Sequence, residues 1–213
     1  VETSTYHLTR EGIVPAQFPK ARSGRRASGA AGRAADGLTL LWRQPLPERP
    51  ALLAAPVVAG ESLLVSVESL EGPHGGVVSL SREDGSVRWY AELGGQVKGS
   101  PAAYGEYITA TTIAGHIHCL RLQDGSVAWR RQLDNPLERW IYHAGRIIEA
   151  SVIAGSAMHL VRLDLVSGEP HWERRDPKAS DWICSPVAPA YGDGRLYVGF
   201  FWQPTGILAL DFA

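Results

Sequence analysis

The chain has 213 residues, 45% of them hydrophobic and 20% charged, with a formal net charge of −1. That is enough apolar material for a packed core, which excludes disorder throughout, and a near-zero charge excludes a global field toward nucleic acid or an anionic membrane. With 23 Gly and 14 Pro the chain is loop-rich and not a coiled coil; its seven Trp exceed the roughly two or three that average usage supplies.

In chain order, residues 1–37 read as an N-terminal tail or linker, or the end of an upstream domain. Thr5 to Phe18 suggests strand, Glu11-Gly12 turn, strand. Lys20, Arg22, Arg25, Arg26 and Arg33 follow among Ala, Gly and Ser, with no acidic residue and no aromatic to stack on bases, which is linker composition. No apolar run reaches the roughly 18 residues of a spanning helix. The chain begins at Val1, its single Met is Met158, and no signal peptide is present, so it reads as a processed protein or a fragment.

From residue 38 to 213 the chain repeats itself. Ser79 to Trp89, Cys119 to Trp129 and Arg162 to Trp172 are copies of one segment, each with Gly four residues before Trp, and a fourth copy starts at Ala209-Leu210-Asp211. Trp42 closes an earlier unit, and the Trp recur every 40 to 47 residues, the period of propeller blades. Within each unit the hydrophobic period is two. Leu63 to Val67, Tyr107 to Thr111, Ile147 to Val152 and Leu196 to Phe200 read as one set of strands; Val77 to Leu80, Ile117 to Leu122, His159 to Leu163 and Ile207 to Leu210 read as the next. Asp84-Gly85, Asp124-Gly125 and Ser167-Gly168 are tight turns leading to a strand that ends in Trp. An opening strand is marked by Ala55 to Val58, Ser100 to Ala103, Trp140 to Tyr142 and Ser185 to Ala188. The expected fold is an all-β propeller of four-stranded antiparallel blades, about four blades present and the last truncated.

A meander apolar on both faces needs cover on both, and stacking blades around an axis provides it. Trp42, Trp89, Trp129 and Trp172 are the expected docking residues, each ring lying over a neighbouring blade's turn, at Gly85, Gly125 and Gly168. Ser79, Cys119 and Ala209 are small residues expected beneath a neighbour's ring; Arg162 breaks that series, so blade three should dock least regularly.

Chemistry-bearing motifs are sparse. Cys119 and Cys184 form no CxxC and read as two buried free thiols. His116 and His118 share a strand face, but no third ligand is assignable there, so they read as packing or surface residues. No P-loop, G-x-G-x-x-G or G-x-S-x-G occurs. Opening strands line a propeller channel, which makes Lys98, Trp140, Asp181 and Trp182 the candidate binding rim, with His74 and Trp202 on neighbouring connections.

The segment Arg162-Leu163-Asp164-Leu165-Val166-Ser167-Gly168-Glu169-Pro170-His171-Trp172, with its looser copies, resembles the A-x-D-x-x-T-G-x-x-x-W docking motif of the pyrroloquinoline-quinone (PQQ)-like β-propeller repeat family. The resemblance covers about Leu38 onward and implies roughly half a propeller, with the remaining blades in the same full-length chain. It also implies a cell-envelope or periplasmic location and a choice of functions: quinoprotein alcohol dehydrogenase, barrel-assembly lipoprotein of the bacterial outer membrane, or a propeller fused to another domain such as a metallophosphoesterase. For a dehydrogenase it implies a Trp beneath PQQ, an adjacent-cysteine disulfide above, and Glu, Asn and Asp ligands for calcium. Cys119 and Cys184 are not adjacent and Asn135 is the single Asn, so neither PQQ nor calcium is expected. Residues 1–18 lack the His/Asp motifs of a phosphoesterase. The expected function is a non-catalytic binding or scaffolding module that takes a protein or small ligand on its propeller face, without nucleic acid and without a membrane span.

Overall fold

The computed structural model describes residues 39–51, 54–69, 72–133, 145–156, 159–175, 189–200 and 206–212. The N-terminal segment 1–37, Trp140, Asp181, Trp182, Cys184 and Trp202 lie outside these residues. Among the described residues there are only strands, turns and irregular segments, and no helix is long and apolar enough to cross a membrane.

Among the described residues, sixteen strands form four antiparallel sheets. Blade 1 contains β1 (Arg49–Pro50), β2 (Val57–Ala59), β3 (Ser62–Glu68), β4 (Gly75–Ser81) and β5 (Val87–Glu92). Its innermost strand comes in two pieces, since β1 and β2 both pair with β3. Blade 2 is β6 (Ala102–Tyr104), β7 (Tyr107–Thr111), β8 (His116–Arg121) and β9 (Val127–Gln132). Blade 3 is β10 (Arg146–Ile148), β11 (Ser151–Ser156), β12 (His159–Asp164) and β13 (Pro170–Arg175), and blade 4 shows β14 (Ala190–Gly192), β15 (Arg195–Phe200) and β16 (Gly206–Asp211). Strand order within each sheet follows chain order. The all-β propeller architecture read from the repeat is the architecture observed.

Both faces of the middle strands are buried, which is why they read as near-continuous apolar runs and not as alternation. Alternate residues go to opposite seams. Leu64, Ser66 and Glu68 of β3, with Val77 and Ser79 of β4, face blade 2, where Ile108, Ala110 and Leu120 complete one apolar cluster. Ile117, Cys119 and Trp129 face blade 3 and meet Val152, Ala154, Val161 and Leu163. Ile153 and Leu160 face blade 4 and meet Leu196, Val198 and Phe212. The first face of blade 1, with Val65, Val67, Val78 and Leu80, is covered by Trp42 and Leu46.

Two expected strands move. The run Ile147 to Val152 is not one strand: Ile147 and Ile148 belong to β10, and the chain reverses at Glu149 (φ 48°) and Ala150 (φ 59°) before β11. Both turn residues take the left-handed conformation that two-residue hairpins require, without the Gly that would have flagged it. In blade 4 the innermost strand is β14, beyond the Ser185 to Ala188 marker, and turns into β15 through Asp193 (φ 52°) and Gly194 (φ 70°). The markers at Ala55 to Val58 and Ser100 to Ala103 each begin two residues before their strands. The Trp140 to Tyr142 marker falls outside the described residues; β10 begins at Arg146.

Candidate functional site

The meander gives every blade two ends with different chemistry. At one end sit short turns: the two-residue reversals into β3, β7, β11 and β15, and the turns at Gly85, Gly125 and Gly168. At the other, among the described residues, run the connections from β3 to β4, β5 to β6 and β7 to β8.

At the short-turn end the seams are stapled by tryptophan. Trp42 Nε1 donates to the Arg82 carbonyl (3.1 Å), Trp89 Nε1 to Leu122 (3.0 Å) and Trp129 Nε1 to Leu165 (2.9 Å). Each ring lies on the next turn's glycine. A Cβ on Gly85 would fall 2.4 Å from Trp42 Cε3, one on Gly125 2.6 Å from Trp89 Cε3, and one on Gly168 2.6 Å from Trp129 Cδ2. These glycines also hold φ between +72° and +74°. A bulge at Ser79/Leu80 and at Cys119/Leu120 lets the turn meet the outer strand. Inside the turns, Asp84 Oδ1 accepts the Ser86 N–H (3.0 Å) and hydroxyl (2.7 Å), and Asp124 does the same with Ser126. The backbone bond from Ser86, then its hydroxyl, pulls the Asp84 carboxyl down to about 2. Trp172 packs with Leu196, Val198 and Phe212 at the blade 3–4 seam.

The small residues are placed differently from the expectation. Ser79 pairs with Trp89, Cys119 with Trp129 and Arg162 with Trp172, so each lies beside its own blade's indole and not beneath a neighbour's. The cross-strand neighbour of a large ring has to be small or bend away. Cys119 Sγ contacts the Leu165 carbonyl at 3.6 Å, the group that also accepts Trp129, and burial pushes its thiol up to about 12, so it is inert. Arg162 bends away: its Nε donates to Ser151 Oγ (3.1 Å), Nη1 to the Phe212 carbonyl (2.5 Å), and the guanidinium stacks 4.0 Å from the Phe212 ring centroid. The irregular contact is therefore at the blade 3–4 seam, while blade 3 receives Trp129 in the regular way.

At the other end, Lys98 lies in the connection from β5 to β6. Gly75 lets that connection pass close over β4, since a Cβ there would sit 2.9 Å from Gln96 Cα. Gln96 Nε2 anchors it to the carbonyls of Ser69 (2.8 Å) and Gly72 (3.0 Å). Lys98 Nζ then meets Glu68 Oε2 at 2.5 Å, and Arg49 Nη2 meets Glu68 Oε1 at 2.7 Å. Glu68 is 1% exposed, while Lys98 and Arg49 are 20% and 34% exposed. One buried carboxylate thus pairs with two partly exposed basic side chains at the innermost strand and the β5–β6 connection. His74 lies on the same end, with Nδ1 2.9 Å from Glu92 Oε1. Sequence reasoning found Lys98 and missed Arg49 and Glu68. The available signal was phase: Glu68 continues the inward set Leu64, Ser66, so it is a charge on a buried face. The other rim candidates, Trp140, Asp181 and Trp182, lie outside the described residues.

The described residues include no group of three His, Cys, Asp or Glu placed to hold a metal. His116 and His118 sit 6.0 Å apart by ring centroid, and the Arg130 guanidinium bonds to His116 Nε2, a lone pair a metal would need. The adjacent-cysteine disulfide of a dehydrogenase-type quinone site is not one that this chain's own two cysteines form. These are 65 positions apart, and Cys119 is buried at a seam with its sulfur turned to Leu165.

The family model for outer membrane protein assembly factor BamB matches residues 30–111 and 73–212. A search of curated proteins finds no match. Among solved structures, BamB from Moraxella catarrhalis superposes with a TM-score of 0.62 at 16% identity, over 81% of this chain and 49% of that one. The quinohemoprotein alcohol dehydrogenase ADHIIG from Pseudomonas putida HK5 gives 0.64 at 17% identity, over 81% of this chain and 34% of that one. The computationally designed Ika4 protein gives 0.60 at 11% identity, over 82% and 98%. At these identities the structural likeness is one of fold, and the chain spans about half the length of that BamB.

Proposed function

Because the chain belongs to the PQQ-like β-propeller family of the outer membrane protein assembly factor BamB, we propose that it is a non-catalytic binding and scaffolding module of the cell envelope. Its partner is a protein that engages the long-connection end of the blades. The observation that carries this reading is the Arg49–Glu68–Lys98 cluster. A buried carboxylate holds two basic groups rigidly at the rim, so they meet an acidic partner segment with little ordering cost. Trp42, Trp89 and Trp129 and the turn glycines beneath them are meanwhile committed to blade stacking.

The competing reading, a piece of a quinoprotein dehydrogenase, rests on the shared fold with ADHIIG and is tested directly. Purified chain titrated with PQQ and calcium is expected to show no saturable change in the visible spectrum and no dye-linked alcohol oxidation; both together would overturn the non-catalytic reading. In the positive arm, a photocrosslinker placed at position 74, exposed on the same end, is expected to capture a discrete envelope protein. Arg49→Gln, which removes the charge without setting a second carboxylate against Glu68, should weaken that product while leaving the circular dichroism spectrum intact. Unchanged crosslinking in Arg49→Gln would remove the rim from the proposal.

A further inference from the structure

His118 is a buried titratable group that neither the fold nor the rim explains. In blades 1 and 3 the residue seven positions before the turn glycine is Val78 and Val161, and the matching register position in β16 is Leu208. Val161 and Leu208 face the preceding blade, and Val78 faces the side of blade 1 that Trp42 and Leu46 cover. Blade 2 alone puts an imidazole there. It is 3% exposed, and neither ring nitrogen has a hydrogen-bond partner among the described residues. Its strand neighbours Ile108, Ala110 and Leu120 join Leu64, Val77, Leu93 and Val97 in the apolar cluster between blades 1 and 2.

The charges around it are unfavourable to a second proton. On blade 2, Arg130 is its direct cross-strand partner and His116 stands 6.0 Å away on the same face. From blade 1, the facing rows of β3, β4 and β5 are Leu64 and Ser66, Gly75, Val77 and Ser79, Trp89 and Ala91, with Glu68 at the end of β3. That carboxylate is engaged by Arg49 and Lys98, the latter from the β5–β6 connection. β7 contributes Ala110 opposite His118.

We propose that the seam between blades 1 and 2 is an acid-sensitive joint: His118 packs there as a neutral ring, and its protonation opens that seam ahead of the others. Burial, then the charge of Arg130, then His116, hold the ring's pKa down from 6.5 to about 4. In the opened seam it titrates as an ordinary imidazole. The closed seam is therefore at full strength above about pH 6.5 and weakens as the pH falls toward 4. This inference does not rest on the proposed partner or on the rim.

Hydrogen exchange at pH 7 and pH 5, corrected for intrinsic rates, reads the joint directly. Amides of β5, β7 and β8 are expected to gain about twentyfold in opening at pH 5, and β12 and β15 far less. In His118→Val, which takes the residue of the sister blades, the extra gain should vanish. An equal gain in both proteins, or equal gain at every seam, would overturn the proposal. Should His118→Val not fold, His118→Gln serves in its place, and the ring protons of His118 in the unaltered chain give an independent answer. Titration near pH 6.5 in the folded protein overturns the joint; a ring still neutral at pH 5 supports it.

Discussion

Glu68 shows how a residue that propensity would place at the surface becomes a fixed internal part. It sits in phase with Leu64 and Ser66, so strand geometry carries it into the blade 1–2 seam, and Arg49 and Lys98 have to come to it. Replacing it with Gln leaves two cations without their counter-charge, although both side chains are partly exposed, which moderates the loss. Glu68→Gln is expected to lower stability by about 2 kcal/mol, below the 3–5 typical of a fully buried pair. Urea unfolding checks this, and a midpoint unchanged from the parent would mean that the pair adds nothing. Sequence periodicity made Glu68 visible as an anomaly. Its partners were not visible, because β1 and the β5–β6 connection reach it from 19 and 30 residues away.

At the scale of the element, the turn and the ring form one device. Gly125 is required twice over: it holds φ +74°, and Trp89 occupies the space a Cβ would need. Gly105 holds φ +58° with nothing within 4 Å. Gly105→Ala is therefore expected to cost about 1 kcal/mol of backbone strain, and Gly125→Ala at least about twice that, since the Trp89 ring has to leave the Leu122 carbonyl as well. Paired thermal melts of the two variants separate strain from docking; equal losses would mean the ring adapts freely. The glycine-tryptophan spacing made these turns legible. The reversal at Glu149-Ala150 was not, because its left-handed residues are ones the turn merely tolerates, and only the pairing of Ile147 with Val152 exposes it. Similarly, which blade owns the small residue beside each Trp depends on cross-strand register, and the linear spacing fits either arrangement.

As a whole the molecule is a row of blades in which each contacts its neighbours through one apolar cluster and one indole. Stability in such an array is close to a sum of blade and seam terms. Trp129→Ala should remove about 3 kcal/mol, the low end for a large aromatic because the ring is half-buried, together with the bond to Leu165. Hydrogen exchange is expected to place the loss of protection in blades 2 and 3 and to spare β3 and β4 of blade 1; loss spread evenly over all blades would contradict the additive picture.

The sequence by itself determined the blade period, the strand types, the turn glycines and the docking tryptophans. All of these are local: a two-residue alternation, a positive-φ turn and a ring four residues later need only the chain's own spacing. Tertiary structure decided which face each residue presents and to whom, because that depends on register between strands and on the seating of one blade against the next. It turned Arg162 from a break in a pattern into a contact with Phe212, and it joined Lys98 to a carboxylate from another strand. It also placed His118, whose ring nitrogens have no hydrogen-bond partner among the described residues, in an apolar seam, where the same imidazole on a solvent face would titrate as an ordinary histidine.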